Sequence, residues 1–300
     1  MDKQIDTRRI IIFLGFAFGI AWITGLVIYL TGGLTNSPQI APGISLAIIL
    51  LATVYMWAPA LGNILTRLIT HEGWKDLGLR PHFKKGWRYW LIGWFLPAAM
   101  TLPGAALFFV LFPQFFDASL SLVHQQTAAS PTLSAIPPWI FIAIELGAGV
   151  LISPIANSLA TFGEEFGWWA YLLPKLMPLG GRKAMLLIGL IWGVWHWPVI
   201  FMGYEYGFKY PGYPWAGPLL FLWVTFGLGT FLGWLTLRSQ SIWPAVIGHA
   251  AINGIAGAAV LFSTGQPNTL LGPLPVGIIG SLGYALVAIA IFISPKGLTE

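Results

Sequence analysis

The feature that most constrains this chain is its succession of apolar stretches, each closed by Gly, Pro or polar residues. About 20 predominantly apolar residues make one helical crossing of a bilayer. Stretches of that kind fall at roughly 10–31, 42–66, 89–112, 138–161, 184–203, 216–236, 242–263 and 271–293. Breaks such as Thr31-Gly32-Gly33 and Pro211-Gly212-Tyr213-Pro214 separate them. Only 8% of the 300 residues are charged and 57% are hydrophobic, whereas a soluble domain carries about 25% charged residues. The expected fold is therefore an all-α, polytopic transmembrane helix bundle of about eight spans. Residues 1–300 are expected to form a single integral membrane domain, with no room for a separate soluble one.

Charge placement predicts an orientation. With a cytoplasmic N-terminus, Lys3, Arg8, Arg9, Arg67, Lys75, Arg80, Lys84, Lys85, Arg88, Lys175, Arg182, Lys183, Arg238 and Lys296 all face the cytoplasm, and of the 15 basic residues only Lys209 lies outside. This follows the positive-inside rule and predicts that both termini are cytoplasmic and that 113–137 and 204–214 are external, in what reads as a prokaryotic plasma membrane. It also accounts for a pI near 9.5 without invoking nucleic acid. Arg8-Arg9 precede an apolar run longer than the roughly 7–15 residues of a signal core, so the segment reads as an uncleaved first helix. The chain has no cysteine, which removes disulfides, thiolate nucleophiles and Cys-ligated zinc.

Against this background three polar clusters stand out: Glu164-Glu165, His196, and His249 with Asn253. An ionisable side chain inside a bilayer costs roughly 2.5–3.5 kcal/mol, so each needs a compensating interaction. Adjacent residues on a helix point about 100° apart, so Glu164 and Glu165 are expected to play different roles. The plain alternative is that the pair marks the cytoplasmic end of the fourth span. His196 lies about twelve residues into the fifth span, roughly 18 Å deep, with Trp192 one turn before it on the same face. His249 and Asn253, four apart, share a face of the seventh span about 10 Å deep, either as part of a site or as an interhelical hydrogen-bonding pair. Glu164, His196, His249 and Asn253 are expected to meet around one cavity opening toward the cytoplasm, with the aromatic loop from Tyr204 to Trp215 on the outer side of the membrane, the wrong side to select a cytoplasmic tail. Two carboxylates, two imidazoles and an amide are the parts that activate a water and hold an oxyanion, which points to a hydrolytic site within a membrane.

The ordered set Glu164-Glu165, Trp192 four residues before His196, and His249-x-x-x-Asn253 resembles the CPBP family of intramembrane proteases, which includes the CAAX prenyl endopeptidases and the bacterial abortive-infection-type proteins. The flanks Gly163-Glu164-Glu165-Phe166-Gly167-Trp168, Trp192-Gly193-Val194-Trp195-His196-Trp197-Pro198 and Ser241-Ile242-Trp243-Pro244-Ala245-Val246-Ile247-Gly248-His249 agree with it. The resemblance covers about 157–257, and Trp74-Lys75-Asp76-Leu77-Gly78-Leu79-Arg80-Pro81 is a weaker echo. It implies an intramembrane endopeptidase acting on a membrane-associated protein or peptide, with Glu164 as general base on a water also held by His196, His249 and Asn253 on the oxyanion, and Glu165 and Trp192 in support. A metal-free glutamate mechanism is preferred. The metal-dependent alternative would place zinc on Glu164, His196 and His249, which come from three helices.

One residue departs from the family pattern: Trp169 stands where the motif usually continues to an arginine. Glu165 is then expected to find another donor, with Arg182, Lys183 and Arg238 as candidate cations, or to be protonated, while Trp169 fills the arginine's volume. Two further functions remain open. A catalytically silent membrane scaffold or immunity protein on the same fold would explain Trp169. A secondary transporter would use Glu145 and the other buried ionisable groups, but no paired halves are visible.

Overall fold

The computed structural model describes residues 5–75, 77–128 and 130–299, so Lys3 of the predicted cytoplasmic set and Asp76 of the weaker echo lie outside the described residues. In hydrocarbon a backbone must satisfy its own hydrogen bonds, and the chain answers with helices. Five helices are long and apolar enough to cross a membrane. These are α1 (Thr7–Leu30), α2 (Leu46–Ile69), α3 (Phe83–Leu111), and, later in the chain, Ala216–Ser239 and Trp243–Phe262. Between them lie α4 (Pro138–Leu151), α5 (Ser158–Gly167), α6 (Gly181–Trp195) and α7 (Trp197–Phe201). They are followed by α8 (Ala216–Ser239), α9 (Trp243–Ile255) and α10 (Leu282–Ile293). A two-stranded hairpin pairs Gln39–Ala41 with Ile44–Ser45.

The all-α bundle is as expected, but three of the eight predicted spans are not single helices. The 138–161 stretch is assembled from consecutive helical pieces that run on past Glu164-Glu165 to Leu176. The 184–203 stretch breaks at His196 between α6 and α7. The 271–293 stretch begins as turns and becomes helical only at Leu282. Twelve residues rise about 18 Å, short of the roughly 30 Å apolar core of a bilayer.

Close helix approach is set by small residues. In α5, Gly163 and Gly167 lie one turn apart, and a Cβ on Gly163 would sit 2.6 Å from the Met56 carbonyl oxygen of α2 while one on Gly167 would sit 2.3 Å from Pro59. With side chains excluded there, α5 lies directly on α2 and the intervening Glu164 and Glu165 are carried into the bundle. The carboxylate pair therefore does not mark a helix end, as the plain alternative supposed; the helix passes through it.

Among the described residues the Lys and Arg side chains paired with a carboxylate gather at one end of the bundle. Glu72, in the turn after α2, takes Lys175 at 2.7 Å, Arg9 at 3.5 Å and Arg67 at 3.9 Å. The phenol of Tyr171 also donates to it at 3.1 Å. Arg182 at the start of α6 donates to the carbonyls of Phe292 and Ile293. Lys209 lies in the connection at the other end, so the sequence segregation of charge is a segregation between the two ends of the fold.

Candidate active site

Trp192 organises the centre of the bundle. Its indole Nε1 donates to Glu164 Oε2 at 2.7 Å, joining α6 to α5. One turn on, His196 Nδ1 donates to the Trp192 carbonyl at 2.8 Å. Since a carbonyl only accepts, that bond fixes the neutral His196 as the Nδ1–H tautomer and leaves Nε2 with a free lone pair. The imidazole is walled by the rings of Trp195 at 4.7 Å and Phe221 at 4.8 Å between centroids. The break between α6 and α7 falls at His196, where Pro198 follows at the second position of the new helix.

Glu165 does not turn to Arg182, Lys183 or Arg238. It turns to α9, where His249 Nδ1 lies 2.5 Å from Glu165 Oε1. Both side chains are buried, at 0% and 7% exposure, and Glu165 Oε2 has no partner. The substitute donor expected for Glu165 is thus the second histidine itself. Trp169, buried at 1%, packs against Gly233 and Gly229 of α8 with its indole nitrogen unpartnered, so it fills volume and makes no polar contact. The indole face of Trp192 meets the His249 ring edge-on at 5.5 Å, closing the cluster.

A cavity of about 130 Å³ is lined by Glu164, Trp192, His196, His249 and Asn253. One water requires roughly 10–15 Å³, so the space admits several. Asn253 is exposed and makes no side-chain hydrogen bond among the described residues, which leaves its amide free and argues against the interhelical-pair reading. The four residues expected to share a cavity do so, but its extent differs from expectation. Its remaining walls include Tyr204 and Glu205 from the connection after α7 and Pro275 and Val276 from the turns before α10. These segments lie at the end of the bundle opposite the basic cluster, so the cavity extends away from the face predicted to be cytoplasmic. The helix break at His196 and the late start of α10 leave this space open. Glu145, by contrast, is exposed on α4 and takes no part in the cavity.

Residues 139–255 match the family model described as Type II CAAX prenyl endopeptidase Rce1-like. The matched segment is similar to an Rce1-like domain. It runs from Trp139 in α4 to the end of α9 and contains Glu164, Glu165, Trp192, His196, His249 and Asn253. Over 97 residues the chain is 35% identical to CAAX prenyl protease 2 of Methanococcus maripaludis, a match covering 31% of this chain and 35% of that protein. The aligned stretch is thus about a third of that relative's length.

Around the matched segment the structure adds residues that the sequence analysis passed over. The hydroxyl of Tyr55, on α2, lines the cavity and donates to the Trp195 carbonyl at 2.6 Å. Asn63, fully buried on α2, donates to the Phe166 carbonyl at 2.8 Å and accepts from Arg67 Nε at 2.7 Å, tying the turn after Glu165 to the basic end. Each is a lone polar residue in an apolar span, the same signal that picked out His196. Among the described residues no three His, Cys, Asp or Glu side chains are grouped to hold a metal ion. Glu165 faces His249 Nδ1, and Trp192 faces both Glu164 Oε2 and His196 Nδ1, which leaves each Nε2 and Glu164 Oε1 open; these three side chains are not grouped to hold zinc as placed, and no step is derived through a metal.

Proposed function

We propose that this chain is an intramembrane endopeptidase that hydrolyses a peptide bond of a membrane-associated protein with a glutamate-activated water. The observation that carries the reading is Glu164 fixed by the Trp192 indole at the wall of a cavity shared with two imidazoles and a free amide. Trp192 holds one carboxylate oxygen, leaving the other to take a proton from water. His196 Nε2 accepts a hydrogen bond from the water's other O–H, so that the water oxygen's lone pair faces the carbonyl carbon; as the C–N bond of the tetrahedral adduct breaks, protonated Glu164 returns its proton to the leaving amine. A positioned base contributes about 10²–10⁴ in rate.

His249 and Asn253 supply the oxyanion donors, worth about 10²–10³ each. For His249 to donate from Nε2 while Nδ1–H faces Glu165, the pair must hold the imidazolium–carboxylate form. The Glu165 carboxylate at 2.5 Å stabilises that form. Glu165 therefore acts through His249, and the arginine that Trp169 replaces is not needed to neutralise it. This is why we prefer a protease to a silent scaffold on the same fold. Substrate and bilayer are the partners this reading requires; nucleic acid is not.

The test compares membrane proteomes of cells carrying the intact chain and Glu164→Gln, looking for new protein termini that depend on Glu164. Their absence in every membrane tried sinks the protease reading. Orientation is tested separately. Single cysteines at the exposed Gln240 and Gln126 are expected to label from the cytoplasmic and external sides respectively, and the opposite pattern reverses the topology.

A further inference from the structure

The catalytic-type cluster supplies only part of the cavity's lining. Beside Glu164, His196, His249 and Asn253 the lining is apolar, with Val199, Phe221, Val224 and Ile252, and a further carboxylate, Glu205, lies on the wall supplied by the connection after α7. Glu205 has no Lys, Arg or His within ion-pairing distance among the described residues, although Lys209 is four positions on. It is half-buried, and burial pushes its carboxyl up to about 7. Glu205, the neighbouring Tyr204 and Glu164 line the same cavity.

A carboxylate removed from water without a cation is a binding deficit that a ligand can fill. The bound ligand would place an uncharged stretch against the apolar lining and a cation at Glu205. The Lys and Arg side chains paired with a carboxylate are at the other end of the fold, and Lys209, the basic residue of this connection, is exposed and makes no ion pair with Glu205.

We propose that Glu205 is a specificity-determining residue that selects substrate segments carrying a basic group, a Lys or Arg side chain or a free α-amine, a few residues from the bond presented to Glu164. This rests on the protease reading for the meaning of "substrate", but the binding preference it predicts does not. A charge-assisted hydrogen bond in a partly desolvated site contributes roughly 1.5–3 kcal/mol, which is about 10- to 100-fold in affinity.

The experiment measures binding of fluorescent peptides to the full chain in vesicles, in the Glu164→Gln background so that nothing is cleaved. Three apolar peptides differ only in one group: an internal Lys with acetylated N-terminus, an internal norleucine with free N-terminus, and a neutral peptide with norleucine and acetylated N-terminus. One or both cationic peptides are expected to bind at least about tenfold tighter than the neutral one. Adding Glu205→Gln should abolish that preference and Glu205→Asp should retain part of it, with melting temperature confirming that each variant is folded. Which cationic peptide is favoured identifies the source of the charge. Equal binding of all three peptides, or a preference that survives Glu205→Gln, overturns the inference. If the preference holds but the chain with intact Glu164 cleaves none of the peptides, the protease reading fails by itself. Cleavage without preference removes only the role of Glu205.

Discussion

Two polar clusters are enclosed by this bundle, and they are satisfied in opposite ways. At the basic end a single carboxylate, Glu72, is surrounded by Lys175, Arg9, Arg67 and the Tyr171 phenol. Burial alone would raise its pKa, but the Lys175 hydrogen bond and charge, with Arg67 behind, hold it below the ordinary value of 4.5. At the centre two adjacent carboxylates share one imidazole and one indole, and an oxygen of Glu165 is left without a partner. The first arrangement is what charge pairing for stability looks like. The second spends folding energy on groups that a water and a substrate would complete, which is the pattern of a functional site.

Breaking the central cluster should affect activity far more than folding. Glu164→Gln is expected to lower peptide cleavage by about 10²–10⁴ while the melting temperature in detergent holds or rises, since a buried carboxylate without an ion-pair partner is removed and the amide oxygen can still accept from Trp192. A proportionate loss of stability would mean that Glu164 belongs with Glu72 as a structural group. Glu165→Gln should cost less, about 10- to 100-fold, because it acts by orienting and charging His249 as outer-shell partners do. Its effect should largely vanish when His249→Gln is already present; additive losses in that double-mutant cycle would make Glu165 an independent catalytic group. Trp192→Phe keeps the ring packing but deletes the donor to Glu164, and we expect a fall of about tenfold in kcat with little change in KM.

Breaking the basic-end cluster should do the reverse, with the smallest effect on catalysis. Glu72→Gln is expected to destabilise by roughly 1 kcal/mol or less, given its partial exposure, and to change cleavage by less than about threefold. Because the folded pKa of Glu72 is depressed, its contribution is present above the ordinary carboxylate value of 4.5 and is lost as pH falls below it through the folded value. The intact chain should therefore lose more melting temperature than Glu72→Gln between pH 6 and pH 4, and parallel curves would show that the pairing contributes nothing.

The sequence by itself determined the solvent, the helical class and the identity of the central residues. An 8% charge content leaves no soluble alternative, and Glu164, Glu165, His196, His249 and Asn253 are conspicuous because ionisable and amide groups are costly in lipid. Basic residues concentrated in alternate connections likewise announced a two-ended fold. What the sequence could not decide was pairing. Adjacent glutamates face different directions on one helix, and only the approach of α9 shows that Glu165 takes His249, while only the approach of α6 gives Glu164 to Trp192. Helix continuity was also hidden. Gly163 and Gly167 read locally as weak helix formers, yet they carry the carboxylates into the bundle because α2 packs where their side chains would be. Glu205 in its connecting segment and Asn63 in an apolar span were single letters without periodic context, and their significance came only when segments far apart in sequence closed around one cavity and one carbonyl. Periodicity and composition are local properties of a chain, whereas the partner of a buried polar group is chosen by whichever helix the tertiary packing brings alongside it.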